Sequence, residues 1–168
     1  MKRTVQKNTL RFMTSASYSH VGTPWDIWAD LVKEFDFTLD ACASDNYHLC
    51  DRYYTAENSC LTKDWMGEVV YCHPMFNTSI GKFVEKAATS KCLTVMLLPA
   101  ATHTRYFHKF IWDKREHRPR PNVELRFLEK PPQGFAFVDD NGNGDIPTGQ
   151  VAYIKPLMIV IFRLGGRQ

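Results

Sequence analysis

Apolar positions follow two alternating patterns along the chain. Trp28, Leu31, Val32 and Phe35 recur at i, i+3, i+4 and i+7, on one face of a helix. Thr23-Pro24 stands just ahead as a helix start, with Thr as the capping residue and Pro at the first helical position. Residues 37–41 read as a short strand leading into Asp40-Ala41-Cys42-Ala43-Ser44. Residues 45–63 are polar and rich in Asn, Asp and Thr, with Tyr53-Tyr54 inside, and read as a loop with one short element. A second strand at 69–72 is halted by His73-Pro74. Ile80, Phe83, Val84, Ala87 and Ala88 define a second helix. The continuous apolar run 93–98 predicts a strand buried on both faces, stopping at Pro99-Ala100. Tyr106, Phe107 and Phe110 suggest a third helix, and residues 122–128 a further strand. Residues 135–138 and 151–154 look like the arms of a hairpin, and 157–162 is a last, wholly apolar strand.

Helix and strand alternate up to residue 98, which favours parallel strands with helices packed on the sheet. The tail turns to strands alone and suggests an antiparallel edge. The expected organisation is a basic arm at 1–22 and a single α/β domain at 23–168.

Composition adds limits. The chain has 168 residues, 44% hydrophobic and 23% charged, which excludes a largely disordered chain, a collagen-like repeat and a coiled coil. No stretch approaches the ~20 apolar residues of a membrane span. The N-terminal stretch is polar and basic and does not read as a secretory signal. The net charge of +3 is unevenly spread. Lys2, Arg3, Lys7 and Arg11 open the chain, the region from Asp26 to Glu68 is acidic, and Lys114, Arg115, Arg118 and Arg120 make the later segment basic. Two basic segments around an acidic middle suit an anionic polymer such as nucleic acid, but charge alone favours the plainer reading of a solvated tail and loop.

The five cysteines, Cys42, Cys50, Cys60, Cys72 and Cys92, are odd in number and form no C-x-x-C pair. A disulfide framework and a structural zinc site are therefore not expected, no metal is expected, and a reducing cytoplasm fits best. Asp139-Asp140-Asn141-Gly142-Asn143-Gly144 imitates the start of a calcium loop, but Gln150 stands where the bidentate Glu belongs. A polar hairpin turn explains those residues better.

Ligands of open α/β sheets bind beyond the carboxyl ends of the strands. Three predicted strands end in distinctive chemistry there. One offers Asp40, an acceptor for ammonium or hydroxyl groups, followed by small residues that let a ligand approach the backbone. The second offers Cys72-His73-Pro74-Met75-Phe76: a polar side chain, a carbonyl and a stacking ring together. The third runs from Pro99-Ala100 into Thr102, His103, Thr104 and Arg105.

These segments, in this order, resemble the phage-type DNA N6-adenine methyltransferases (the Dam family). The resemblance runs from about residue 23 to 162. It is carried by Thr23-Pro24, by Glu34-Phe35-Asp36-Phe37-Thr38-Leu39-Asp40-Ala41-Cys42-Ala43-Ser44, and by Asn46, Cys50 and Arg52-Tyr53-Tyr54-Thr55. It continues through Asp64-Trp65, His73-Pro74, Leu97-Leu98-Pro99-Ala100, Thr102, Thr104, Arg105, Phe107, His108 and Glu124-Leu125-Arg126-Phe127-Leu128. It implies a Rossmann-like, S-adenosylmethionine-dependent methyltransferase sheet with antiparallel C-terminal strands. It implies DNA as partner, and, for a phage protein, the bacterial host cytoplasm and a role in restriction evasion. By position, Thr23, Pro24, Asp40, Ala41, Cys42, Ala43 and Asp64 would line the cofactor. Arg105, Arg115, Arg118 and Arg120 would meet DNA phosphates.

The chain departs from the family at one motif. Amino-methyltransferases carry Asn or Asp, then Pro-Pro, then Tyr or Phe; here the residues are His73-Pro74-Met75-Phe76. The resemblance makes His73, Pro74 and Phe76 the catalytic set. The target base is flipped into a pocket. A side-chain acceptor and the proline carbonyl then hold the amine hydrogens while an aromatic ring stacks on the base. Neutral His73 offers one acceptor nitrogen and protonated His73 none. Three readings follow. One is a DNA adenine methyltransferase with altered or weak activity; the second is a silent relative that binds DNA or a host protein; the third is an RNA or small-molecule methyltransferase on the same fold.

Overall fold

A computed structural model of the chain describes residues 20–129, 137–138 and 156–164. In chain order the elements are β1 (His20–Val21), α1 (Trp25–Leu31), β2 (Leu39–Asp40), a 3-10 turn (Cys60–Thr62), β3 (Val69–Cys72) and α2 (Ile80–Thr89). They continue with β4 (Leu93–Pro99), a π-helical turn (Phe107–Ile111), β5 (Trp112–Asp113), β6 (Arg118–Pro119), β7 (Val123–Phe127), β8 (Phe137–Val138) and β9 (Leu157–Phe162).

Five strands form the central sheet in the order β2-β3-β4-β9-β7. The pairs β2–β3 and β3–β4 are parallel, and β9 runs antiparallel to both β4 and β7. The fold is therefore mixed α/β. The antiparallel strands of the tail are present, but β9 lies inside the sheet and, of these two, β7 alone lies at an edge. That burial explains why all six residues of β9 are apolar and buried.

Side chains alternate across the sheet and build two apolar layers. One face carries Tyr71, Val95, Leu97, Ile159 and Ile161 against Ile27, Leu31 and Phe35 of the α1 region. The other carries Val70, Cys72, Met96, Leu98, Met158 and Val160 against Ile80, Val84 and Ala87 of α2, with Trp65, Phe107 and Ile111. The chain enters β3 through a tight turn in which Glu68 N–H donates to the Trp65 carbonyl. Gly67 takes φ +86° there, a conformation open to glycine at little cost.

Several expectations are corrected. Pro24, not Thr23, caps α1, and no side chain caps that helix end. The helix stops at Leu31, so Val32 is exposed while Phe35 reaches the core from the following turn. The segment around Tyr106, Phe107 and Phe110 is a short π-helical turn rather than a full helix. Residues 52–54 are fastened to the edge of β2: Asp40 N–H donates to the Arg52 carbonyl and Tyr54 N–H to the Asp40 carbonyl. The polar stretch is thus partly sheet edge. β8 pairs with β1. The other arm expected for its hairpin, the calcium-like segment and most of the basic arm lie outside the described residues.

Candidate active site at the carboxyl ends of the strands

Register decides which side chains meet. Asp40 pairs with Tyr71 in the parallel β2–β3 ladder, so their side chains leave the sheet on the same face. His73, two residues after Tyr71, follows on that face. Thr23 arrives from the start of α1, the helix packed there. The Thr23 Oγ1 atom lies 2.6 Å from Tyr71 Oη and 3.2 Å from His73 Nδ1. Tyr47 Oη donates to the Thr23 carbonyl at 3.3 Å. Thr23, expected as a cofactor contact, is almost fully buried, and its hydroxyl joins two strand residues.

Asp40 is also buried. Its Oδ1 accepts the Cys42 N–H at 3.2 Å and its Oδ2 the Leu49 N–H at 3.0 Å. The carboxylate therefore gathers the turn after β2 and folds the next segment over the strand end. Burial raises its pKa, and the two amide donors and nearby His48 partly offset that. Ala41 and Ala43 are buried small residues of the same turn. Cys42 lies 3.5 Å, sulfur to sulfur, from Cys72. Burial holds both thiols up.

His73 is half-buried, and desolvation lowers its pKa to about 4, so the ring is neutral at pH 7. Phe76 stands beside it with ring centroids 5.2 Å apart. Pro74 is buried, and Met75 is exposed.

A cavity of about 920 Å³ opens next to Phe76. Phe76, Tyr106 and Phe110 form aromatic walls, while Arg105 and Lys109 supply positive charge. Tyr106 packs over Gly81 at a distance where even a Cβ on residue 81 would make an ordinary contact, 3.7 Å from the Tyr106 Cβ. The Tyr106 hydroxyl is buried without a partner among the described residues. Nearby Thr104 donates its own hydroxyl proton to the Ala101 carbonyl. Thr23, Asp40, Tyr71, His73 and Pro74 do not line this cavity; Phe76 lines it and also stands against the His73 ring, so it joins the Thr23–Tyr71–His73 cluster to the cavity.

Other expected site residues lie apart. Asp64 is exposed and accepts the Met66 N–H. Its charge reaches Cys92, at the entrance to β4, the end of the sheet opposite His73. Arg115 and Arg118 are exposed near β5 and β6. Arg120 donates to the His108 carbonyl at 2.9 Å and lies 4.0 Å from Asp113, bracing the π-helical turn. Sequence reasoning passed over Tyr47 and Tyr71 as site residues; Tyr106 was expected either to stack on a base or to belong to helix core. For Tyr71 a signal was present: it lies two positions before His73 in a strand, hence on the same face.

Among the described residues no group of three or more His, Cys, Asp or Glu side chains is placed to hold a metal ion. Among them, too, no helix is long and apolar enough to cross a membrane.

The fold and site thus define a mixed α/β protein with a polar cluster and an aromatic, cationic cavity at the carboxyl ends of its strands. The family model for DNA N-6-adenine-methyltransferase (Dam) matches residues 15–162, and the chain belongs to that family. Membership makes DNA the substrate and adenine N6 the methyl acceptor. No curated protein and no solved structure matches the chain significantly.

Proposed function

We propose that the chain methylates N6 of an adenine flipped out of DNA into the cavity beside Phe76, with S-adenosylmethionine as donor on a Rossmann-like sheet. The observation that carries this reading is the position of Phe76, between the His73 cluster and a cavity walled by aromatic rings. A flipped base needs a stacking surface and a pocket together.

The residues after β2 suit the cofactor. Asp40 is a buried carboxyl with no Lys or Arg ion pair among the described residues, and burial raises its pKa. A ligand bearing positive charge would relieve that desolvation. Thr23, Pro24, Ala41, Cys42 and Ala43 border the same strand end, whereas Asp64 lies at the opposite end of the sheet and is not part of this group. The cofactor supplies an electrophilic methyl group when bound. Asp40 and the small residues after it hold and orient the ligand, Phe76 stacks on the base, and the Pro74 carbonyl accepts an amine hydrogen. Arg105 beside the cavity and the exposed Arg115 and Arg118 meet phosphates, with Arg120 holding their segment in place.

The His-Pro-Met-Phe sequence favours a second reading, a relative that binds DNA or a host protein without turnover. Purified protein incubated with labelled S-adenosylmethionine and DNA of varied sequence separates the two. Label at adenine N6 is the expected result. Binding of both ligands without label at any pH from about 6 to 9 would establish the silent relative, since His73 is neutral throughout that range.

A further inference from the structure

We propose that the cavity takes a short stretch of single-stranded DNA rather than one base flipped from a duplex, and that Phe110 is the stacking platform for a base next to the target. The inference rests on the reading of the cavity as the target-base site, and it names the form of DNA that the site accepts.

Size is the first observation. At the roughly 30 Å³ that a water molecule takes up in the liquid, the ten non-hydrogen atoms of adenine fill at most about 300 Å³. The cavity holds about 920 Å³, roughly threefold more. The number of rings is the second. A base has two faces, and Phe76 and Tyr106 suffice for both. Phe110 lines the cavity as well and remains for another base. In a duplex the neighbours of a flipped base stay stacked inside the helix and cannot reach a further ring. In a single strand they can, and no base has to be extruded from a pair.

The wall that carries these groups has the matching pattern. Arg105 and Tyr106 open a helical turn that continues as Phe107–Ile111. Phe107 and Ile111, four positions apart, are buried, and the Phe107 ring stacks on Trp112 at 6.2 Å. That face is committed to the core. The cations Arg105 and Lys109 and the rings Tyr106 and Phe110, each pair again four apart, line the cavity instead. Charge and ring thus alternate along one wall, the arrangement that tracks a backbone while stacking its bases. Lys109 Nζ lies 4.6 Å from the Phe110 ring centroid and 3.1 Å from Glu85. At an exposed site both contacts are weak, so an arriving base can take the ring face while a phosphate takes the ammonium. Glu85 is the one carboxylate among the described lining residues, against two cations, and the wall therefore attracts a polyanion.

Fluorescence anisotropy at about 0.5 M salt, where phosphate contacts are weakened, tests this without methyl transfer. The probes are a strand of about five nucleotides with a central adenine, the same strand with abasic sites on both sides of that adenine, and a duplex holding the same sequence. The abasic strand keeps every phosphate and loses only the flanking bases. The intact strand should bind at least about tenfold more tightly than the duplex and at least about fivefold more tightly than the abasic strand, the effect of one lost stack. Phe110→Leu keeps an apolar side chain and removes the ring; it should bring the second ratio below about twofold, and Phe110→Trp should retain that ratio. Equal binding of intact and abasic strands by the wild type overturns the proposal. So does a duplex bound as tightly as the strand, or an unchanged ratio in folded Phe110→Leu. The comparison of strands needs only the wild-type chain, so it decides the matter even where a variant fails to fold. An RNA strand of the same sequence bound more tightly than the DNA strand overturns the proposal in favour of RNA. Labelled S-adenosylmethionine separates the two readings. Stacking of flanking bases with no label on any DNA would overturn the methyltransferase reading and leave this one standing. Label at a duplex adenine with no contribution from flanking bases would do the reverse.

Discussion

At His73 burial and hydrogen bonding act on one ring. Desolvation disfavours the imidazolium, and a hydroxyl stands at Nδ1. Replacement by Asn puts a carbonyl oxygen where the family pattern has one. His73→Asn is expected to raise the methylation rate by about tenfold. That is less than the ~100-fold or more that one hydrogen bond at a reacting centre can carry, because Met75 is unchanged. Initial rates on one DNA substrate check this, and a fall would give the imidazole a chemical role of its own. The same substitution has a pH signature. The folded pKa of about 4 lies below the unfolded value near 6.5, so the unfolded chain binds more protons between them. His73 therefore costs no stability above about pH 6.5 and an increasing amount as pH falls towards 4. The stability difference between His73→Asn and wild type should move in favour of the variant across that window. Denaturant melts at pH 7, 6 and 5 measure it; subtraction cancels Asp40, whose raised pKa acts in the opposite direction. Thr23 shows what a sequence conceals at this scale. Thr-Pro before an amphipathic run reads as a helix cap, yet the hydroxyl bonds to residues 48 and 50 positions away. No local pattern encodes such a partner.

Among the elements, the strands with continuous apolar runs were legible, as was α2. β3, β4 and β9 fall where the runs predict, and parallel pairing followed from the helix between β3 and β4. The insertion of β9 between β4 and β7 was not legible, because a strand buried on both faces looks the same at any interior position. The attachment of residues 52–54 to β2 was also hidden, since backbone pairing of a polar edge leaves little trace in side chains. One tie between elements consists of charged residues of the family motif. Arg126 of β7 makes two bonds to Glu34 beyond α1, at 2.6 and 2.7 Å, and a third to Glu124 at 2.6 Å. Arg163, just past β9, bonds to Glu124 as well. This network fastens the α1 layer to the antiparallel edge. It is partly solvent-exposed, so its effect is bounded. Arg126→Met should destabilise the fold by about 1 kcal/mol, the upper end for exposed pairs, because Glu34 and Glu124 are left facing one another with only Arg163. Urea unfolding should show the loss at low salt and a smaller one near 1 M salt; equal loss at both would point to packing of the arginine stem instead.

For the molecule as a whole, the charge pattern and the cavity belong to one argument. The acidic middle of the sequence supplies Asp40 on one side of the strand ends. The later basic segment supplies Arg105 and Lys109 on the other, where Glu85 is matched by Lys109 at 3.1 Å. On the proposed function, cofactor and polymer would therefore meet the protein on opposite sides of Phe76, which a residue count cannot reveal but an ordered set of motifs suggests. Tyr106 tests that division. Its hydroxyl is buried beside the cavity without a described partner, an arrangement that costs stability unless a ligand completes it. Tyr106→Phe removes the oxygen and keeps the ring against Gly81. The variant should be as stable as wild type or more stable by up to about 1 kcal/mol. It should also bind DNA carrying an unpaired, flippable adenine about tenfold more weakly, with binding to a duplex lacking such a base little changed. Fluorescence of 2-aminopurine at the target reads the flipped base directly, and thermal melts read the stability. Lower stability together with unaltered base affinity would make the hydroxyl part of the protein's own packing. The opposite pair of results would make it a polar contact for the adenine that Phe76 stacks upon.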